Sequence, residues 1–261
     1  MKPKFFYISV IPFLLFTGIL HSLEFPLEFH GRAWLGKYLN SDTIRYNMDA
    51  SIQLYCTVIQ HKNLSMYLQY RDDLDMAKQT GGVSLDPRYA HYYIISGFDY
   101  SLTDYFFSFD FTHDCIHDID YEVEGTPVFN CFRLQFANMD FHQRNRRFTA
   151  RRFLWGIGLG FYPHWQYHGW DINAGADYKY DVTIETLFKI FKKTDWGINI
   201  VPRFKIIKGD SIYYHEHLIQ FHTYYTNGTS RIGLELSYNI WNNNPIKAPD
   251  KLWLLAIYVG F

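Results

Sequence analysis

The last eleven residues of the chain, KLWLLAIYVGF at positions 251–261, show its clearest pattern. Every second position holds a large apolar side chain: Trp253, Leu255, Ile257, Val259 and Phe261. Neighbouring side chains of a β-strand point to opposite faces, so this spacing predicts a strand with one wholly apolar face. The sequence ends on the aromatic residue of that face.

The same alternation returns along the chain. Five segments show it plainly: Tyr46–Val58, Leu64–Arg71, Phe107–Thr112, Phe132–Phe136 and Trp170–Lys179. Weaker candidate strands lie near Leu27–Tyr38, Tyr89–Tyr100, Phe153–Tyr162, Gly197–Ile207, Ile212–Tyr225 and Arg231–Trp241. With the last strand, the sequence predicts about 12 strands. We interpret Asp181–Lys192 as an extension of the Trp170 strand, although a separate strand or an amphipathic helix also fits.

Composition and the first residues limit the class of protein. The formal charge of -1 gives no reason to expect a nucleic-acid partner. Residues 1–22 predict a signal peptide, because Lys2 and Lys4 precede an apolar run from Phe5 to Leu20 and the small Ser22 follows. Beyond that segment no run of about 18 apolar residues occurs, so the sequence predicts no membrane-spanning helix.

Together these features resemble those of bacterial outer-membrane β-barrels, in which a strand with a terminal aromatic residue closes the barrel. The resemblance implies an all-β fold, in which residues 23–261 form one transmembrane antiparallel up-and-down barrel of about 12 strands in the cell outer membrane. It also implies contact with outer-membrane lipid and recognition of the strand ending at Phe261 by the barrel-insertion machinery. A closed barrel satisfies every backbone hydrogen bond of strands that lie in lipid.

Connection lengths predict which end of the barrel faces the periplasm, where turns are short. The short connections lie near His61–Asn63, Leu102–Asp104, Lys193–Asp195 and Asn227–Ser230. The long connections predicted at the outer end are Asp72–Arg88, Ile116–Pro127 and Asn242–Asp250. Asn138–Thr149 is the exception, because it is long yet falls at the periplasmic end.

Reactive side chains concentrate in THDCIHDID, residues 112–120, where a strand enters an outer loop. A second group is HEH, residues 215–217. A histidine beside a carboxylate suits general acid–base catalysis. These two groups predict a catalytic set of His113, Asp114, His117 and Glu216.

The first group also contains possible metal ligands. Imidazole and thiolate bind first-row metals, so His113, Cys115 and His117 form a candidate metal site. Alternatively, the histidines belong to an interfacial belt of side chains with an apolar body and a polar tip. Cys115 and Cys131 flank one predicted hairpin, and a disulfide between them would need a β-bulge because their parity differs.

Three functions fit this predicted barrel. The first is a small pore or solute-transport barrel, since the predicted inward set is polar: Asn47, Asp49, Gln53, Gln69, Arg71, Asp110, Arg133, Gln135, Asp171 and Lys179. The second is an outer-leaflet lipid-modifying enzyme, because some outer-membrane barrels carry histidine-containing sites near this rim. The third is a structural or surface-binding barrel. The sequence indicates no particular cofactor and no oligomeric state.

Overall fold

The computed structural model describes residues 23–41, 46–78, 86–118, 128–138, 151–163, 178–244 and 249–261. Within these ranges, twelve antiparallel strands form one closed barrel in which each strand pairs with its sequence neighbours. The strands are β1 Glu28–Leu39, β2 Met48–His61, β3 Leu64–Ala77, β4 Asp86–Ser101, β5 Phe106–Asp118, β6 Val128–Ala137, β7 Phe153–Phe161, β8 Tyr180–Lys193, β9 Trp196–Lys208, β10 Tyr213–Asn227, β11 Ser230–Asn242 and β12 Trp253–Gly260. The predicted fold and strand number are confirmed. The predicted signal peptide lies outside the described residues.

Pairing of the first and last strands closes the barrel. Residues 32–39 of β1 pair with residues 253–260 of β12. The backbone pairing continues to the last residue, because Gly31 and Phe261 each donate an N–H to the carbonyl oxygen of the other at 3.0 Å. The predicted closing strand is confirmed, and no strand edge remains along this seam.

The wall separates two sets of side chains along every strand. On β12, Leu255 and Ile257 are 45% and 49% exposed, whereas Ala256 and Tyr258 are each 2% exposed. Exposed apolar side chains of this kind surround the barrel, as expected of a surface in contact with hydrocarbon. Among the described residues, no helix is long and apolar enough to cross a membrane.

The two ends of the barrel differ in their connections. Tight turns follow β2, β4, β8 and β10, at the end where β1 begins and β12 ends. The connections after β1, β3, β5, β7 and β11 are longer and lie at the opposite end, which we call the outer end. The connection from β6 to β7 is long and lies at the short-turn end, as predicted, and residues 139–150 of it lie outside the described ranges.

Two predicted boundaries were wrong. The predicted outer loop Asp72–Arg88 is shorter, because β3 continues to Ala77 and β4 begins at Asp86. Alternate acidic residues of this segment point into the barrel, where Asp73 pairs with Arg71 at the inner wall. Carboxylates with inward partners are compatible with a strand.

The segment Asp181–Lys192 was also misassigned. It is the main part of β8, which pairs with both β7 and β9, and it does not extend a strand through Lys179. Residues 164–177, which include most of the predicted Trp170 strand, lie outside the described part of the chain. The strand number is unchanged, because β8 occupies the place given to the Trp170 strand.

Inward tyrosines pack over glycines on the neighbouring strand. The directly opposed pairs are Tyr67 with Gly97, Tyr224 with Gly197, and Tyr258 with Gly233. A Cβ atom at Gly97 would lie 2.6 Å from the Phe109 carbonyl oxygen and 2.8 Å from the Tyr67 hydroxyl. We call these three pairs the tyrosine–glycine joints.

We expect Gly97→Ala to destabilise the barrel by about 1–3 kcal/mol, because the added methyl group overpacks a joint. Gly158→Ala is the matched control, since a Cβ atom at Gly158 would meet its nearest neighbours at 3.7 Å, an ordinary contact. Urea unfolding of the refolded protein in detergent, followed by tryptophan fluorescence, measures the difference. Equal midpoints for the two variants would contradict the packing argument.

Candidate functional site

The predicted catalytic residues lie on both sides of the barrel wall. His113 and His117 share the outward face of β5 with the exposed Phe107 and Phe109. Asp114 faces inward and lines the central cavity. Glu216 of β10 lines the same cavity. The structure therefore does not bring the four residues together, because neighbouring positions of one strand point to opposite faces.

An asparagine orients His113 on the outward face. Asn130 of β6 lies directly opposite His113 of β5, and the His113 Nδ1 atom is 2.8 Å from the Asn130 Oδ1 atom. An amide oxygen can only accept a hydrogen bond, so Nδ1 carries the proton and Nε2 is the basic nitrogen. Asn130 is 4% exposed, so its side of this hydrogen bond is shielded from solvent.

Cys115 lies on the same outward face, two residues after His113. Side chains two positions apart on a strand are neighbours on one face, separated by roughly 6.6 Å along it. The thiol is half-buried, and Cys115 lies opposite Val128 of β6 and Tyr92 of β4. Among the described residues, no hydrogen bond joins the thiol to the imidazole, so productive contact requires rotation of one of the two side chains.

Asn130 was not among the predicted site residues, although strand alternation places it on the outward face with Phe132 and Leu134. The register between β5 and β6 places Asn130 opposite His113, and the sequence of one strand alone does not give that register. Parity alone would have placed Asn130 on the same face as His113. Pairing Asn130 with His113 also requires the position of each residue along the barrel axis, which alternation does not provide.

Aromatic side chains adjoin this outward site. The rings of Tyr92 and His117 are edge to face with centroids 5.3 Å apart. The rings of Tyr70 and Tyr92 are stacked at 6.4 Å. His117 therefore contacts an aromatic neighbour, as the interfacial-belt interpretation expects.

The predicted metal site does not have the required arrangement. Within the described ranges, no three or more His, Cys, Asp or Glu side chains form a group able to hold a metal ion. His113, Cys115 and His117 share a face, but His113 is bound to Asn130 and His117 packs on Tyr92.

The structure does not form the disulfide that the sequence left open. Cys115 faces outward, whereas Cys131 is 2% exposed and lines the cavity. Both thiols are free. The parity difference in the sequence was the correct indication, because no bulge interrupts the pairing of β5 with β6.

The barrel interior contains a polar cavity of about 410 Å³, whose lining runs from outer-end residues such as Asp114 and Glu216 to Arg32 and Gln135 nearer the short-turn end. The Arg133 guanidinium donates two hydrogen bonds to Asp181, at 2.8 and 2.7 Å, and the Tyr162 hydroxyl donates a third at 2.7 Å. Gly160 leaves room for the Asp181 carboxylate, since a Cβ atom there would overlap it. Asp114 pairs with His91, whose other ring nitrogen is 3.0 Å from the Tyr93 hydroxyl.

The short-turn half of the interior is packed with side chains. Tyr55, Tyr67, Tyr224 and Tyr258 are each no more than 3% exposed, although they point into the barrel. The Arg32 guanidinium lies 4.5 Å from the centre of the Tyr258 ring, and the Tyr55 and Tyr67 rings stack at 5.0 Å. These side chains occupy part of the barrel interior at the short-turn end.

The second predicted histidine group is also divided by the wall. His215 and His217 face outward, where the His215 ring stacks on Trp241 at 3.8 Å. Glu216 faces inward and lies 3.4 Å from the Lys205 ammonium group. This arrangement gives the two histidines an aromatic-belt environment and the glutamate an ion pair.

Comparison with known proteins supports the same architecture. No protein-family model and no curated protein sequence matches the chain. Outer membrane phospholipase A from Escherichia coli matches with a TM-score of 0.54 and 10% identity over 89% of each chain. The outer membrane phospholipase dimer from Salmonella typhi, solved with bound calcium, matches with a TM-score of 0.54 and 10% identity over 90% of this chain and 93% of that chain. The KdgM porin matches with a TM-score of 0.48 and 8% identity over 90% of this chain and 98% of that chain.

The chain is an outer-membrane β-barrel. The likeness to these structures concerns the fold, and the exposed apolar belt supplies the physical reason for the location in the outer membrane. The predicted contact of the barrel with lipid follows from that belt. Recognition of Phe261 by the insertion machinery stays a prediction.

We expect this outer-membrane barrel to show no steady conductance in planar lipid bilayers, because buried tyrosines obstruct the short-turn half of its interior. Replacing Tyr67 and Tyr258 together by alanine should produce conductance steps, since both side chains occupy the interior. Tyr213→Ala is the matched control, because Tyr213 is 51% exposed on the outer surface. Steady conductance of the unaltered protein would contradict a closed interior.

Proposed function

We propose that this barrel is an enzyme that cleaves acyl esters of lipids in the outer leaflet, with Cys115 as the nucleophile. The observation that carries the proposal is the 2.8 Å contact of His113 with Asn130 on the face that also carries Cys115. A nucleophile, a base and a group that orients the base are the three parts of nucleophilic acyl transfer. Cysteine, histidine and asparagine fill these roles in other folds.

The roles of the three side chains follow from their hydrogen-bonding capacity. Asn130 accepts the Nδ1 proton of His113 and fixes the tautomer, which leaves Nε2 to remove the thiol proton of Cys115. The thiolate attacks the ester carbonyl carbon. The carbon–oxygen bond to the alcohol breaks, His113 returns the proton to the departing alkoxide, and an acyl thioester remains on Cys115.

Water completes the reaction. His113 Nε2 removes a proton from a water molecule, which attacks the thioester carbonyl carbon. The carbon–sulfur bond breaks, the proton passes to the departing thiolate, and a fatty acid leaves. The products are one fatty acid and one lysolipid for each ester and water consumed, with no redox change.

The position of the site suits a substrate that arrives sideways from the bilayer. Phe107, Phe109 and Phe111 precede His113 on the outward face of β5, so the site lies at the outer-end border of the apolar surface. Acyl chains could lie along the phenylalanines while the ester reaches Cys115. A site in the lumen would need the whole lipid to leave the membrane.

The pore hypothesis receives less support from the described interior. The polar cavity can hold water, and several residues of the predicted inward set, such as Arg71 and Gln135, line it. The packed tyrosines of the short-turn half do not favour passage of solute. Two neighbours in the structural comparison are named phospholipases, so this architecture is compatible with hydrolysis of lipid esters.

We expect Cys115→Ala to abolish fatty-acid release from phospholipid micelles, because the acyl group loses its acceptor. His113→Ala should reduce the rate by about 10²-fold or more, which is the usual contribution of a general base. Mass spectrometry of the purified unaltered protein should show an acyl adduct on Cys115 that hydroxylamine removes. Cys56→Ser is the matched control, since Cys56 is also half-buried and free but lies on β2.

Equal rates for Cys115→Ala and Cys56→Ser would remove Cys115 from the reaction. Asn130→Ala should lower the rate by disordering the imidazole while leaving the folded fraction of the protein unchanged in heat-modifiability gels. A rate unaffected by Asn130→Ala would remove asparagine from its orienting role.

A further inference from the structure

A carboxylate lies on the lipid-facing side of the barrel near Cys115. Asp72 of β3 lies between Arg71, which lines the cavity, and Asp73, which is 4% exposed in the interior. Strand alternation therefore turns Asp72 outward, on the face of Tyr70, which is 36% exposed. A carboxylate on this face is negatively charged and attracts a cation that reaches the outer-end border of the apolar surface.

Two tyrosines accompany this carboxylate. Asp72 lies directly opposite Tyr92 of β4, and Tyr70 shares its face of β3 two residues earlier, so the three side chains are neighbours on one face. The two rings are stacked with centroids 6.4 Å apart and planes 28° apart. The faces of aromatic rings attract ammonium groups, and aromatic sites recognise ammonium-bearing ligands in other proteins.

The carboxylate and the nucleophile occupy one row across three strands. Asp72 lies opposite Tyr92, and Tyr92 lies opposite Cys115. Neighbouring strands are about 4.8 Å apart, so the Asp72 and Cys115 backbones are separated by about 10 Å. This separation is on the scale of the distance from the headgroup of one phospholipid to its acyl esters.

We propose that Tyr70, Asp72 and Tyr92 form a subsite that binds the ammonium headgroup of a membrane lipid while its acyl ester lies at Cys115. This inference rests on the proposed function, because it names the substrate class of the same site. The carboxylate neutralises the ammonium charge, and the ring faces replace part of its hydration. A phosphatidylethanolamine satisfies these requirements, whereas a phosphatidylglycerol has no cation for the subsite.

Hydrolysis of mixed micelles tests the subsite in the presence of catalysis. The unaltered barrel should release lysophosphatidylethanolamine in preference to lysophosphatidylglycerol from equal amounts of the two lipids. Asp72→Asn should reduce this preference by about tenfold, since it removes the charge but keeps the shape. Asp195→Asn is the matched control, because Asp195 is an exposed carboxylate at the short-turn end. Unchanged preference in Asp72→Asn would overturn the inference.

Lipid binding tests the subsite without catalysis. The Cys115→Ala barrel, released from nanodiscs that contain both lipids, should retain phosphatidylethanolamine over phosphatidylglycerol in native mass spectrometry. The double variant with Asp72→Asn should lose that enrichment. Enrichment without any hydrolysis by the unaltered protein would support the subsite and reject the proposed enzyme. Hydrolysis without enrichment or preference would reject the subsite and leave the enzyme in place.

Tyr92→Phe separates the ring from its hydroxyl group. It should retain most of the preference for phosphatidylethanolamine, since the ring face remains, whereas Tyr92→Ala should lose it. Equal preference in both tyrosine variants would remove the ring from the subsite. Heat-modifiability gels verify that each variant forms a barrel before its preference is measured.

Discussion

Backbone hydrogen bonding between β1 and β12 is the constraint on which the rest of the structure depends. Inside hydrocarbon an unpaired amide has no water to bind, so a sheet is stable there only when its two edges pair with each other. The mutual contacts of Gly31 and Phe261 continue that pairing to the last residue. Once the sheet is closed, one face of every strand contacts lipid and the other faces the barrel interior. The alternation in the sequence therefore separates outward from inward side chains.

Closure also assigns the polar residues to structural and chemical roles. Inward charges such as Arg133 and Asp181 satisfy each other across strands, and the buried tyrosines of the short-turn half complete the interior. The groups that suit acyl chemistry lie on the opposite side of the wall, where a lipid is already present.

The sequence was sufficient for the features that depend on alternation alone. It predicted the closing strand, the number of strands and the end at which the turns are short. It could not predict Asn130 or Asp72 as neighbours of that site, because their levels depend on the register of β6 and β3 against the strands between them. Parity is encoded within a strand, whereas register is decided between strands.

The error at β8 has the same origin. Residues on both sides of Lys179 alternate well enough to form a strand, and composition does not say which of them cross the membrane. The pairing of Tyr180–Phe188 with β7 decides it. The structure separates His113 from Asp114 for a related reason. Adjacent residues of a barrel strand point to opposite faces, one toward the lipid and one toward the interior.

The tyrosine–glycine joints have a consequence for the evolution of the chain. A ring and the bare backbone beneath it form a matched unit, so a smaller residue in place of Tyr67 leaves a hollow unless a larger one replaces Gly97. Homologous barrels should therefore vary these positions in pairs, with bulk exchanged from one strand to the next. Such covariation would show which residues lie opposite each other on neighbouring strands, even in homologues with very low sequence identity.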